Sequence, residues 1–272
     1  MGISKELWSN QLGSDVVNIL REFQKELGYV NATNQYIEMI SRYFQMEHED
    51  DTLLTMAKYV NLSLTQLPEK CNVRIAKGYI VGVQSCLERF LTSFKELEGN
   101  PTKNVEPFNA KRDNNRLFWV LNASYNKKIP SEVLNLYYIC NYYRLVRNEI
   151  VHMGAQSSEF RNAKSIVESL TTSLLSNAMF DKLNAPNDIS ELTFDDQVLF
   201  SRAAKRICER IYKDSEYDWK IIIEGDKAEI HRMICKVSDC IEKRNKQIFQ
   251  YLSQLYPVKK EPLFDVLENM KL

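Results

Sequence analysis

Residues 130–154 read PSEVLNLYYICNYYRLVRNEIVHMG. Pro130 and Ser131 suit a helix start, because the missing proline N–H is not needed in a first turn. No further Pro or Gly follows until Gly154. The spacing predicts one strong helix to about Met153, with Gly154 as its C-terminal stop. Working outward, the same periodicity recurs on both sides. Ser14 and Asp15 read as a cap for Val16, Val17, Ile19, Leu20, Phe23 and Leu27, with Gly28 ending that run. Thr33 to about Glu47 forms a second run, with Tyr36, Ile37, Ile40, Tyr43 and Phe44 on its apolar side. Asp51 to Leu67 is a third. Asn72 to Glu98 is a long fourth helix with a broad stripe of Ile75, Ile80, Val83, Leu87, Phe90, Leu91, Phe94 and Leu97. Gly99-Asn100-Pro101 closes it. Residues 101–115 read as a loop, 116–125 as a short helix and 163–175 as another. Asp195 and Asp196 mark a helix start that continues to about Lys213. A last long helix spans about Lys227 to Tyr256, and Tyr217–Ile223 alone reads as a strand. The expected fold class is all-α.

Composition sets limits on function. Of 272 residues, 44% are hydrophobic and 26% charged, which suits a globular chain rather than a disordered one. Lys+Arg and Asp+Glu are each 36, so nucleic-acid binding by bulk charge is excluded while a local basic cleft is not. No apolar run approaches the ~18 residues of a membrane span, and Met1–Leu20 lacks a basic start followed by an apolar block. The expectation is a soluble, cytoplasmic protein. Cys71, Cys86, Cys140, Cys208, Cys235 and Cys240 form no CxxC pair and read as buried free thiols. The chain contains no GxGxxG, GxxxxGK[ST], GxSxG or HExxH. Mononucleotide-dependent α/β enzymes, serine hydrolases and zinc proteases lose their support. No metal or cofactor is expected.

The histidines are His48, His152 and His231. His152 closes the run Tyr142-Tyr143-Arg144-Leu145-Val146-Arg147-Asn148-Glu149-Ile150-Val151-His152. Arg144, Asn148 and His152 are spaced by four and lie along one helical stripe. Arg147 projects about 100° from Asn148 but is long enough to swing toward the same cleft. A guanidinium, an amide and an imidazole would then converge. Phosphodiester cleavage needs a cation for the phosphate, a positioning donor and a proton shuttle. A ribose 2′-OH as nucleophile removes the need for a metal. The bland alternative makes His152 a cap at the helix end and Arg147 the ion-pair partner of Glu149 or of a neighbouring helix. Arg42 and His48 make a similar pair, six positions apart rather than five, but Glu47, Glu49, Asp50 and Asp51 surround that His and would repel phosphate. Arg202, Arg206, Arg210 and Lys213 make a basic stripe that either tracks an RNA backbone or is a solvated face. Tyr137, Tyr138, Tyr142 and Tyr143 either stack on bases or belong to the core.

The Arg147-Asn148-x-x-x-His152 arrangement resembles the signature of the HEPN superfamily, an Arg followed by a polar residue and, four to six positions on, a His. The resemblance extends to the order of three segments: the long helix ending in Phe90-Leu91-Thr92-Ser93-Phe94-Lys95-Glu96-Leu97, the Tyr-Tyr-Arg-Leu-Val-Arg-Asn helix, and Leu192 to Arg202. It covers roughly residues 70–215. Nothing resembles the family in residues 1–66 or beyond about 215. The implied organisation is a helical bundle of HEPN type over 67–215, an N-terminal helical region over 1–66 and a C-terminal extension over 216–272.

Many members of that family are metal-independent ribonucleases of toxins, phage defence and CRISPR effectors. The resemblance implies a homodimer whose two motif helices face each other. Each copy would then supply Arg147, Asn148 and His152 as catalytic groups, with Arg144 binding substrate. RNA is the implied substrate, and an inhibitor or activator protein the implied restraint. Some HEPN toxins carry a Tyr two residues after the His, which a partner nucleotidyltransferase modifies. Gly154 occupies that position here, so such a partner is not expected. The other reading is non-enzymatic: a helical module that binds a protein or nucleotide, with 1–66 and Lys227–Tyr256 as interaction surfaces.

Overall fold

Asn18 caps the first helix. Its Oδ1 accepts from the backbone N–H groups of Leu20 at 3.1 Å and Arg21 at 3.2 Å, two of the donors a helix start leaves orphaned. The computed structural model describes residues 18–46, 55, 58–60, 71–97, 99–102, 115–152, 158–171, 183–234, 241–257 and 263–267. Its helices are α1 (Ile19–Met46), α2 (Cys71–Glu96), α3 (Arg116–Ser124), α4 (Ser131–His152), α5 (Ser158–Thr171), α6 (Phe194–Asp214), α7 (Trp219–Gly225), α8 (Lys227–Ile234) and α9 (Ile241–Leu255). No strand occurs among the described residues, and the fold is all-α.

Contacts divide the chain into two compact units, each discontinuous in sequence. One comprises 24–89 and 130–207, the other 1–23, 90–129 and 208–272. Three of the four boundaries between them fall inside α1, α2 and α6.

In the first unit the core is built by Leu27 of α1, Tyr79, Ile80, Val83 and Leu87 of α2, Phe160 and Val167 of α5, and Leu199 and Phe200 of α6. α4 adds Val133, Leu136, Ile139, Cys140, Tyr142, Tyr143, Leu145 and Val146. Asn31 Oδ1 accepts from Gln197 Nε2 at 2.6 Å and from Ser201 Oγ at 2.8 Å, so α1 and α6 are joined by polar contacts as well. Gly28 does not end a helix: α1 runs straight through it. A glycine in a helix interior costs only ~1 kcal/mol, and burial of Leu27 beside it offsets that cost.

In the second unit aromatic rings dominate. Phe23 meets Phe90 at 5.3 Å between centroids, and Phe94, Trp219 and Tyr256 each lie within 6.5 Å of Tyr217. The segment expected as a strand is instead the start of α7. Asp218 accepts from Lys220 N–H at 3.1 Å and Ile221 N–H at 3.2 Å, and the cap overrides the β-preference of Ile221, Ile222 and Ile223. Gly99 has φ +62°, and its carbonyl accepts from Asp218 N–H at 2.7 Å. A Cβ there would stand 2.6 Å from both the Asp218 carbonyl oxygen and Ile222 Cγ1. Gly99→Ala is expected to destabilise the protein by about 2–3 kcal/mol, combining left-handed strain with a backbone clash. Urea unfolding measures it; a cost below ~0.5 kcal/mol would contradict this packing.

Cys86, Cys140 and Cys208 are buried free thiols and Cys71 is a half-buried one. Cys235, Cys240, the Ser14-Asp15 cap, His48 and most of 51–67 lie outside the described residues. No helix among the described residues is long and apolar enough to cross a membrane.

Candidate active site

α4 starts where Pro130 predicts. The Pro130 carbonyl accepts from Val133 N–H at 3.0 Å and Leu134 N–H at 2.9 Å. Burial on α4 persists through Val146 and then lapses. Arg147, Asn148, Glu149 and Ile150 are half-buried, and Val151 and His152 are exposed. The helix thus emerges from its core over the turn and a half that carries the motif.

Two tyrosines hold α4 in place, and both are fully buried. The Tyr142 hydroxyl donates to the Asn187 carbonyl. The Tyr143 hydroxyl donates to Asp196 Oδ1 at 2.9 Å, and its ring stacks on Phe200 at 5.0 Å. Burial, with the charge of Asp196 behind it, pushes the Tyr143 hydroxyl well above its ordinary range, so it stays protonated and donates. Of the two roles open to these tyrosines, the core one applies. Tyr137 and Tyr138 are half-buried and face each other at 5.5 Å.

Asp196 is the polar centre of this unit. It is fully buried. Its Oδ1 accepts from the Tyr143 hydroxyl and Asn187 N–H, each at 2.9 Å. Its Oδ2 accepts from Asn187 Nδ2 and Thr193 N–H, both at 2.9 Å, and from Thr193 Oγ1 at 3.3 Å. Burial raises its carboxyl above the usual aspartate range, although those donors pull the other way.

The motif residues divide into two groups. Arg147 Nη1 donates to Asn148 Oδ1 at 3.2 Å. The amide oxygen fixes the guanidinium, and the Asn148 NH₂ faces away from that bond. Among the described residues Arg147 meets no carboxylate, so the alternative pairing with Glu149 is not made. Arg144 is differently occupied. Its Nε and Nη2 reach Asn141 Oδ1 at 3.0 and 2.9 Å, and Nη2 reaches Glu159 Oε1 at 3.3 Å. Glu159 neutralises it and ties α4 to the first turn of α5. His152 is the last residue of α4, with its side chain in solvent.

Arg147 and Asn148 are therefore brought together, and Arg144 is drawn to α5. Asn141 and Glu159 did not stand out in the sequence. The signal for Glu159 was faint: an acidic residue in the first turn of the next helix. Several other cations meet acids. Arg42 pairs with Glu38 at 2.8 Å, Lys164 with Asp188 at 2.8 Å, and Arg210 with Asp214 at 2.7 Å. Among the described residues no group of three or more His, Cys, Asp or Glu is placed to hold a metal ion. No family model, curated protein or solved structure matches this chain.

Proposed function

We propose that this protein is a metal-independent endoribonuclease of HEPN type, cytoplasmic, acting as a homodimer. The observation that carries the reading is the motif's placement. His152 stands in solvent at the tip of α4, and a turn and a half before it Arg147 is steered by Asn148 and meets no acid among the described residues. Such a set is reachable by a polyanion.

In the reaction, one His152 takes the proton from the ribose 2′-OH, and the 2′-oxygen attacks the adjacent phosphorus. The bond from phosphorus to the 5′-oxygen breaks, and the second copy's His152 protonates that oxygen. A 2′,3′-cyclic phosphate and a 5′-hydroxyl result. Arg147 stabilises the charge that builds on the phosphoryl oxygens. Asn148 holds Arg147 in position. Such an activity damages its own cell, which suits a toxin or phage-defence effector restrained by an inhibitor or awaiting an activator protein.

The test is RNA cleavage in EDTA by the wild type, Arg147→Ala and His152→Ala. Equal cleavage by all three, or cleavage that the chelator removes, would end the reading. One observation favours the non-catalytic alternative, a protein- or nucleotide-binding module. Glu159 pairs with Arg144, so that, of the two motif-helix guanidiniums, only that of Arg147 meets no acid among the described residues. A wild type without RNase activity that still binds RNA or a nucleotide would select it.

A further inference from the structure

α1, the first turn of α2 and the start of α6 enclose a cleft of about 330 Å³ within the first unit. That volume lies in the range of small-molecule sites. Leu192 and Phe194 form its apolar wall, and Tyr79 braces Phe194 edge-on at 5.9 Å between centroids. Glu38, Ser41, Arg42 and Asn72 form its polar side. Arg42 decides what fits. Its Nε donates to Glu38 Oε1 at 2.8 Å, and its Nη1 and Nη2 have no partner among the described residues. A guanidinium anchored in this way presents a fixed fork of donors. The carboxylate that anchors it also cancels its charge, so the fork keeps its geometry and loses most of its pull on an anion. Glu38 is itself held from behind. Burial and that carboxylate push the Tyr79 hydroxyl up to about 12, so it stays protonated and donates to Glu38 Oε2 at 3.5 Å. Ser41 Oγ donates to Asn72 Oδ1 at 3.4 Å, which leaves the hydroxyl oxygen able to accept.

We propose that this cleft binds guanine, either as a free nucleoside or as an unstacked base of single-stranded RNA. A neutralised fork of donors calls for two neighbouring neutral acceptors, and guanine carries them as O6 and N7. Adenine sets the N6 donor beside N7, so donor would face donor there. Next to O6, guanine turns N1–H and N2–H₂ outward, and the Ser41 and Glu38 oxygens are the acceptors on that side of the cleft. Cytosine also has two adjacent acceptors, N3 and O2, but a single ring covers less of the Leu192–Phe194 wall. Unstacked bases settle on walls of this kind, against aromatic side chains, with their edges hydrogen-bonded. The cleft does not include Arg147, Asn148 or His152, so its ligand is independent of the nuclease reading.

The experiment is isothermal titration calorimetry on the full chain with guanosine, guanosine 5′-monophosphate, adenosine, cytidine and inorganic phosphate. Guanosine is expected to bind about 10-fold tighter than adenosine or cytidine, within the range that one bidentate contact discriminates. The monophosphate is expected to bind within about twofold of guanosine, because Glu38 has cancelled the charge of Arg42. Arg42→Ala and Arg42→Lys are each expected to weaken guanosine by about 10-fold; lysine keeps the charge and lacks the fork. Arg42 is 66% exposed, so both variants keep the fold, which circular dichroism checks. Glu38→Gln keeps an acceptor for Nε and removes the cancelling charge, so the monophosphate should then bind a few-fold tighter than the nucleoside.

The two sources of guanine are separated with the trimer ApGpA carrying 2′-O-methyl riboses, which attack by a 2′-oxygen cannot cleave. A trimer that binds tighter than guanosine, and loses that affinity in Arg42→Lys, assigns the cleft to a strand; otherwise the free nucleoside is its ligand. A folded wild type that binds neither guanosine nor the trimer overturns the inference. So does adenosine bound as tightly as guanosine, or an Arg42→Lys chain that binds guanosine like the wild type. Inorganic phosphate that displaces guanosine overturns it too, because it would make Arg42 an anion site. RNase activity is read on the same samples. A wild type that binds guanosine and cleaves no RNA sinks the nuclease reading alone, and one that cleaves RNA and binds neither guanosine nor the trimer sinks the guanine site alone.

Discussion

His152→Ala is expected to remove RNA cleavage by 10²–10⁴-fold, the range a general acid–base group contributes, with no loss of stability. The second half of that statement follows from exposure. The imidazole lies in solvent at the end of α4, so truncating it opens no cavity and strands no buried polar group. Arg147→Ala should cost about 10²–10³-fold through lost stabilisation of charge on the phosphoryl oxygens. Asn148→Ala should cost less than Arg147→Ala, because its amide acts on the guanidinium across 3.2 Å rather than on the phosphate. Arg144→Ala should behave differently again. Its guanidinium is engaged by Asn141 and Glu159, so it should lower stability by about 1 kcal/mol and change cleavage little. The measurements are initial rates in EDTA and urea midpoints for the four variants. A ranking in which Arg144→Ala lowers cleavage as much as Arg147→Ala would remove the distinction drawn between the two arginines. In a mixed dimer, one intact chain with one His152→Ala chain should be as inactive as the double loss, because the proposed reaction draws its base and its acid from different copies.

The helices were legible in the sequence wherever an apolar stripe of period 3.6 was bracketed by Pro, Gly or a cap. α2, α3, α4 and α6 fall within a few residues of their expected bounds. Periodicity identifies an apolar face without saying what covers it. Tyr36, Ile37 and Tyr43 make such a face and are exposed. Local signals failed where a neighbour outvoted them. Gly28 lies inside a helix whose neighbours are packed, and Ile221–Ile223 follow an aspartate cap. The motif residues were legible because they are contiguous. What orders them was not. Tyr143 and Asp196 are 53 positions apart and Arg144 and Glu159 are 15 apart, so each contact exists only once the helices are packed. The same limit applies to Asp196, which read as an acid favouring a helix start and is in addition the acceptor that fixes α4.

Asp196→Ala is expected to destabilise the protein by about 3–5 kcal/mol, the cost of stranding buried donors around a vanished charge. Five hydrogen bonds end on that carboxylate. Without it the Tyr143 hydroxyl, the Asn187 and Thr193 backbone N–H groups and the Asn187 amide lose their acceptor in a place water does not reach. Asp196→Asn isolates part of this. An amide oxygen can serve the donors at Oδ1, but an NH₂ would then face the Thr193 N–H and the Asn187 Nδ2, donor against donor. Its cost should be about 2–3 kcal/mol, and that of Tyr143→Phe, which removes a single donor, about 1–2 kcal/mol. The pH dependence separates burial from hydrogen bonding. Burial holds the folded carboxyl above its ordinary value, so the native state binds this proton more tightly than the unfolded chain. The contribution of Asp196 to stability is then fullest below the ordinary aspartate range and declines as pH rises through the raised value. The wild type's margin over Asp196→Asn should therefore be widest in acid and narrow toward neutrality. Urea unfolding of both chains across that range reads the slope directly. A margin that widens with rising pH would mean that the five donors outweigh desolvation and that Asp196 anchors α4 as a charge, not in spite of one.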